Sequence, residues 1–295
     1  MEYYADGKSF TFETEIRDNP VLRESFFGLA RQTFRLDFEP WYQGGGWQDR
    51  YLPHTLVYHG QVVANVSVNR MDFLMDGVSR SLIQLGTVMT HPDYRGMGLS
   101  RFLMETVLHI WNGRCDGVYL FANDTVLDFY PKFGFIRAEE TQFFLPAAPQ
   151  RQIPLRRLDL DIPADRSLLL NAYRRSNPFS AFSMENNEGL LLFYALGPFR
   201  EFLYAPPWEN AAVILEKDGD TLFCHELLGQ WPDVFAETLN RLASPGIRRI
   251  GLGFTPKDQN LSFSCAPGEE HLFVLAGGAN PFAGHKRFFP QISHA

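Results

Sequence analysis

Residues 91–102, HPDYRGMGLSRF, constrain the fold more than any other stretch of this chain. They lie between an apolar run, LIQLGTVMT (82–90), and an amphipathic one, SRFLMETVLHIWNG (100–113). A strand has to end and a helix begin across this seam, and the chain places Arg95, Gly96 and Gly98 there. A helix start leaves its first four backbone N–H groups without partners inside the helix, and the aligned peptide dipoles add partial positive charge. Glycines just ahead of it allow φ > 0 and the approach of a ligand unhindered by a Cβ. Together these make an anion cradle suited to a pyrophosphate. RGMGLS lacks the G-K-[ST] ending of a P-loop, and Arg101 stands where a dinucleotide fingerprint has its third glycine. A bare R-x-x-G is better read as a tight strand–helix turn that happens to use glycine, so the surrounding sequence has to decide.

That surrounding sequence reads as a mixed α/β fold. NPVLRESFFGLARQTF (19–34) has proline at a helix start and apolar residues on one face. HTLVYHGQVVANVSVNRMDFLMDG (54–77) is a strand–turn–strand about His59–Gly60. GVYLFAN (117–123) is a buried strand, TVLDFYPKFGF (125–135) a short helix stopping before Gly134, and EETQFFL (139–145) another strand. The expected architecture is a mostly antiparallel sheet flanked by helices. PAAPQRQIPLRR (146–157) has three prolines and no period, and reads as a linker. Beyond it come a hairpin about Asp218–Gly219, a helix opening at Pro232 and a strand in GIRRIGLGF (246–254). The expected division is a first domain at 1–146, a linker at 147–157 and a second domain at 158–295. Both halves run strand, helix, strand, which suits an internal duplication whose second copy has GQWP in place of the glycine seam. Any α/β domain would show that order, so the pattern alone leaves both readings open.

Bulk properties narrow the function classes. The 295 residues are 45% hydrophobic and 21% charged, enough for packed cores and more than one typical domain. The formal charge of −7 argues against a nucleic-acid partner. The three cysteines form no C-x-x-C pair, so neither a disulfide framework nor a metal site is expected. The N-terminus has acids at positions 2 and 6 and no apolar h-region, and no apolar run reaches the ~20 residues of a membrane span. A cytoplasmic protein with no membrane partner is expected.

Two motifs carry a family resemblance. Arg95–Ser100 resembles the R/Q-x-x-G-x-G/A signature of the GNAT superfamily of acyl-CoA N-acyltransferases, with Ser100 departing at the last position. FANDTVLDFYPKFGF (121–135) resembles that family's second signature, a strand ending in asparagine followed by F-Y-x-x-x-G-F. The resemblance covers about residues 10–145. It implies a GNAT fold for the first half, a degenerate GNAT-like second half, and acetyl-CoA as co-substrate. It also implies that Val88, Met89 and Thr90 meet the pantetheine arm, and that Arg95, Gly96, Met97, Gly98, Leu99 and Ser100 hold the pyrophosphate. Asn123 would contact the cofactor arm, and Tyr130 would be the general acid that reprotonates the departing thiolate. A phenol suits that role, since its ordinary pKa near 10 exceeds the thiol's ~8.5. Tyr130 between Phe129 and Phe133 is also compatible with a plain core aromatic.

Attack on a thioester needs a neutral amine, and the strand before the seam carries no carboxylate. Gln84 is not a base; Asp72 or His91 could act through water, and the carboxylate of Ala295 could thread back. For the acceptor, RLDFEPWYQGGGWQDRY (35–51) interleaves acids with aromatics. Asp37 and Glu39 with Trp41 and Trp47 could box the ammonium of a small-molecule primary amine. Equally, the aromatics could pack and the acids be solvated. The leading expectation is an N-acetyltransferase; the alternative is a non-catalytic CoA-binding sensor or scaffold.

Overall fold

A computed structural model describes residues 1–258 and 260–294. The first half runs β1 (Glu2–Ala5), β2 (Lys8–Glu13), α1 (Pro20–Phe34), α2 (Glu39–Gln43), β3 (Tyr51–Tyr58), β4 (Gln61–Met75) and β5 (Val78–Thr90). It continues through α3 (Leu99–Trp111), β6 (Gly117–Ala122), β7 (Phe135–Arg137) and β8 (Thr141–Pro146). The second half runs β9 (Arg156–Arg157), α4 (Pro163–Tyr173), β10 (Phe182–Glu185), α5 (Glu188–Leu196), β11 (Leu203–Ala205) and β12 (Ala211–Asp218). β13 (Thr221–Gly229), α6 (Phe235–Leu242), β14 (Arg249–Leu252), β15 (Ser264–Pro267) and β16 (His271–Leu275) follow.

Local chemistry sets the helix ends. Asn19 accepts from the N–H groups of Val21 and Leu22 at the start of α1, with Pro20 at its first position. Asn187 caps α5 through the N–H of Leu190. α3 is different: its N-cap is Gly98, which has no side chain to offer the first turn.

Two sheets result. The first has the order β1-β2-β3-β4-β5-β6-β16-β7, with β10 added to β4. The second has the order β15-β8-β14-β13-β12-β11-β9. Among the described strands the pairings are antiparallel except two, β5 with β6 and β13 with β14. Each parallel pair is bridged by a helix, α3 in the first sheet and α6 in the second. The sheets exchange strands. β8, which the sequence division puts with the first half, pairs with β14 and β15. β16, from the second half, inserts between β6 and β7, and β10 pairs with Asp72–Met75 of β4.

The packing follows the pleat. On β4, Ala64, Val66 and Val68 alternate into the core under α3. A bulge at Val63, opposite Leu56–Val57, breaks that alternation, so Val63 joins the same core and Val62 the aromatic core under α1. A third core, containing Phe73, Phe182, Leu191, Ile214 and Phe289, lies between the two halves and is shared by them. The segment 125–135 forms two short 3₁₀ turns, Asp124–Val126 and Tyr130–Phe133, rather than the single helix its composition suggests. Pro131 at the start of the second turn and Gly134 (φ 87°) just after it keep that piece short.

Candidate active site

β5 and β6 are hydrogen-bonded over Leu82–Gln84 and Gly117–Tyr119, and then part. From Leu85 to Thr90 the outer edge of β5 has no strand partner among the described residues, while β4 holds its other edge. A cavity of about 690 Å³ occupies the opening, with Val88, Met89 and Thr90 on one wall and Phe121 and Asn123 on the other. Arg95, Ser100 and Tyr130 also line it. Two motifs some thirty residues apart therefore meet in one cleft.

The edge of β5 is turned by a bulge opposite Asn65–Ser67. Thr87 sits there at φ 44°, a left-handed conformation that a β-branched residue seldom adopts. Asn65 Nδ2 donates to the Thr87 carbonyl at 2.8 Å, and the Thr87 hydroxyl lies 2.8 Å from the hydroxyl of Tyr51. Tyr51 is in turn 2.9 Å from Ser67 Oγ. This buried network holds a conformation that would otherwise cost about 1–3 kcal/mol. Met89 has its side chain in the aromatic core, so it can serve a ligand only through its backbone.

At the seam, His91 takes the turn role: its ring accepts from the N–H of Asp93 at 3.3 Å. Arg95 is extended, Gly96 is at φ 83° and Gly98 at φ 75°. A Cβ on Gly96 would stand in open space, whereas one on Gly98 would lie 2.9 Å from the hydroxyl of Tyr3. Leu99 is buried in the core and Met97 is half-buried, so this pair offers backbone rather than side chains. Ser100 Oγ lies 2.6 Å from Thr90 Oγ1, joining helix start to strand end. Open first-turn N–H groups, a nearby guanidinium and exposed glycine backbone fit a pyrophosphate.

Tyr130 is 5% exposed and packs against Phe129, Phe135 and, from β16, Phe273. Burial pushes its hydroxyl up to about 12. The side chain is both a core aromatic and a cleft residue, and it stays protonated across the neutral range.

Two cleft residues were not expected from sequence: Glu270 and His294. β16 and the tail carry them in from the second half. The His294 ring stacks on Phe121 at 4.1 Å, its Nδ1 donates to Glu270, and its Nε2 is 3.6 Å from the buried carboxylate of Glu140. EEHLFVL (269–275) could have suggested an acid next to a strand; nothing local says which sheet that strand joins. Of the bases raised from the sequence, Asp72 pairs with Arg50 at 2.6 Å, His91 is engaged in the turn, and Ala295 lies outside the described residues; Gln84 is fully buried in the sheet.

The ammonium box is a correction. Trp41 and Trp47 are buried and stack on each other, with centroids 5.8 Å apart and planes at 10°. Phe26, Phe27, Phe38 and Tyr51 surround them, and their indole N–H groups donate to the carbonyls of Gly189 and Tyr51. Asp37 faces Arg31 at 3.5 Å and Glu39 accepts from Gln43. The rings gain more from burial in a core than from a solvated cation, so aromatics and carboxylates separate. Asp37 and Trp41 do share the wall of a separate hollow of about 200 Å³.

A mixed sheet thus splays between two parallel strands, with a glycine-started helix at the opening and a buried tyrosine beside it. Residues 25–138 match the family model described as "Acetyltransferase (GNAT) domain". That segment is therefore similar to GNAT acetyltransferase domains, which use acetyl-CoA as the acetyl donor. No curated protein matches the chain in sequence. Solved structures share the fold over both halves. Eis1 from Mycobacterium abscessus is 17% identical at TM-score 0.58, over 90% of this chain and 73% of its own. A probable N-acyltransferase from Enterococcus faecalis is 12% identical at TM-score 0.57, over 90% and 72%. A GCN5-related N-acetyltransferase from Kribbella flavida is 16% identical at TM-score 0.56, over 90% and 71%. Among the described residues no helix is long and apolar enough to cross a membrane, and no cluster of His, Cys, Asp and Glu is arranged to hold a metal.

Proposed function

We propose that the chain transfers an acetyl group from acetyl-CoA to the primary amine of a small molecule, with one working site in the first half. The supporting observation is the single cleft that gathers the open edge of β5, the seam, Asn123 and Tyr130. Val88 and Thr90 would pair with the pantetheine arm along that edge, as a strand pairs with its neighbour. The N–H groups of Gly96 to Ser100, with Arg95, would hold the pyrophosphate, and Asn123 would steady the arm. As the amine nitrogen bonds to the thioester carbon and the C–S bond breaks, Tyr130 gives its phenol proton to sulfur.

The acceptor would enter where the cleft meets a narrower, mostly apolar hollow, through their shared residues Leu36, Gly86 and Thr87. Phe38, Trp41, Tyr51, Leu190 and Phe193 line that hollow beside Asn69 and Asn187. An acceptor with an apolar or aromatic body suits it better than a polycation. The second half, in which α6 follows β13 without a glycine seam, would be a degenerate copy; domains at 1–146 and 158–295 would then exchange β8, β10 and β16. The test is a panel of primary amines incubated with acetyl-CoA, read by thiol release and by mass. Acetylation of an amine class is expected. Acetyl-CoA binding without turnover of any amine would refute catalysis and favour a CoA-binding sensor.

A further inference from the structure

The sheet exchange has a chemical consequence. β16 enters between β6 and β7, and the residue just before it, Glu270, comes to line the cleft. The Glu270 side chain is half exposed (50%), and His294 Nδ1 donates to its Oε2. His294 is fixed from several sides. Its ring stacks on Phe121, its carbonyl accepts from Tyr194 of α5, and the carbonyl before it accepts from Tyr119 of β6 at 3.3 Å. Behind it, Glu140 accepts from the N–H of Phe289 at 2.7 Å. A carboxylate held by a buried histidine and open to a cleft beside Tyr130 is what an amine acceptor requires, and β5 supplies none.

We propose that Glu270, supplied by the second half, receives the acceptor ammonium and takes its proton, while His294 positions it. The inference rests on the transferase reading above. The proton balance is simple: an N–H bond of the ammonium breaks, an O–H bond forms on Glu270, and that proton leaves to bulk water through the carboxyl's exposed side. The neutral nitrogen then attacks, and the phenol proton of Tyr130 goes to sulfur. The second amine proton is lost as the amide forms and returns to the Tyr130 oxygen.

The charged neighbours set a pH signature. Glu140, Glu270 and His294 face one another; next to Glu270, His271 is engaged by Asp124 and Arg137. Burial alone would raise Glu270, but the bond and charge of His294 outweigh it and hold the carboxyl below its ordinary range. Burial alone would lower His294, but Glu140 and Glu270 outweigh that and raise it. Removing His294 therefore moves the Glu270 titration upward, and the acid limb of kcat/KM shifts to higher pH. A purely structural role for His294 would lower the whole profile without moving the limb.

The experiment compares ethylamine with trifluoroethylamine near neutral pH, where the first is protonated and the second already neutral. Native protein, Glu270→Gln and His294→Phe are assayed by thiol release, with acetyl-CoA affinity measured on each as the check of folding. Glu270→Gln is expected to lose about 10²–10⁴-fold in kcat/KM on ethylamine and less than about tenfold on trifluoroethylamine. Its affinity for acetyl-CoA should be native. Equal losses on the two amines, or no loss on either, would overturn the assignment of Glu270. An acid limb left in place by His294→Phe would overturn the role of His294. If native protein binds acetyl-CoA but turns over neither these two amines nor any member of the panel above, the transferase reading fails and the proposal with it.

Discussion

Gly98→Ala tests how the cradle is built. Gly98 is at φ 75°, ψ 8°, and a side chain in that left-handed region costs about 1–2 kcal/mol. The added Cβ would stand 2.9 Å from the Tyr3 hydroxyl, closer than any ordinary contact, so Tyr3 must move. Tyr3 donates to the carbonyl of Met97 at 3.2 Å and stacks on Phe102 at 4.4 Å. Losing that partly buried hydrogen bond adds about 0.5–1.5 kcal/mol. The expected total is about 1.5–3.5 kcal/mol, measured as a shift of the urea midpoint at constant m-value. In a Tyr3→Phe background the obstructing oxygen and the bond are already gone, so the same change should cost only the backbone part. The double-mutant cycle should therefore show a coupling of about 1 kcal/mol. Equal costs in the two backgrounds, or a cost under about 0.5 kcal/mol in the native one, would refute this account of the seam.

Tyr130→Phe should lower kcat by about 10²–10⁴-fold while leaving acetyl-CoA affinity within about twofold, because the ring packing survives and only the proton is lost. A kcat within about threefold of native would remove Tyr130 from the chemistry. Glu226 gives a prediction about pH and stability. Burial pushes its carboxyl up to about 8, against hydrogen bonds from Asn177 and from the N–H of Leu227 that lower it. The unfolded chain releases that proton near the ordinary carboxylate value and the folded chain holds it to about 8, so stability falls as pH rises through that window. Glu226→Gln should therefore raise the Tm by several degrees near the top of the window and change it little at the acid end. A gain of the same size at both pH values would contradict the titration.

What the sequence made legible was local. The strand, seam and helix around Arg95–Ser100 are written in adjacent residues, as are the helix start at Pro20 and the turn at Asp218–Gly219. Val88, Thr90, Ser100, Asn123 and Tyr130 then meet because two such units share one sheet. The illegible part was long-range. β16 reads as a generic apolar strand, and nothing in HLFVL distinguishes pairing with β6 from pairing in its own half. Its insertion is what brings Glu270 to the cleft and, with the tail, His294. In the stretch AGGANPFAGHKRFFP (276–290), Ala279 donates to the carbonyl of Asp116 beside Gly117, another contact across the halves. The aromatic segment 35–51 misled for a thermodynamic reason. Its composition suits a cation box as well as a core, and burial of two indoles decided for the core.

The most direct test of the central claim is a calorimetric titration of acetyl-CoA into native protein and Ser100→Asp. An aspartate in the first turn of α3 complements the helix dipole, so the fold should hold or gain slightly. The same carboxylate, beside Thr90 at the cleft wall, would repel a pyrophosphate. The account predicts one acetyl-CoA per native chain and a loss of at least about a hundredfold in affinity in the variant, with an unchanged or higher Tm. Native-like affinity in Ser100→Asp would place the cofactor elsewhere. Absence of binding to the native protein would mean that the glycines only turn the chain.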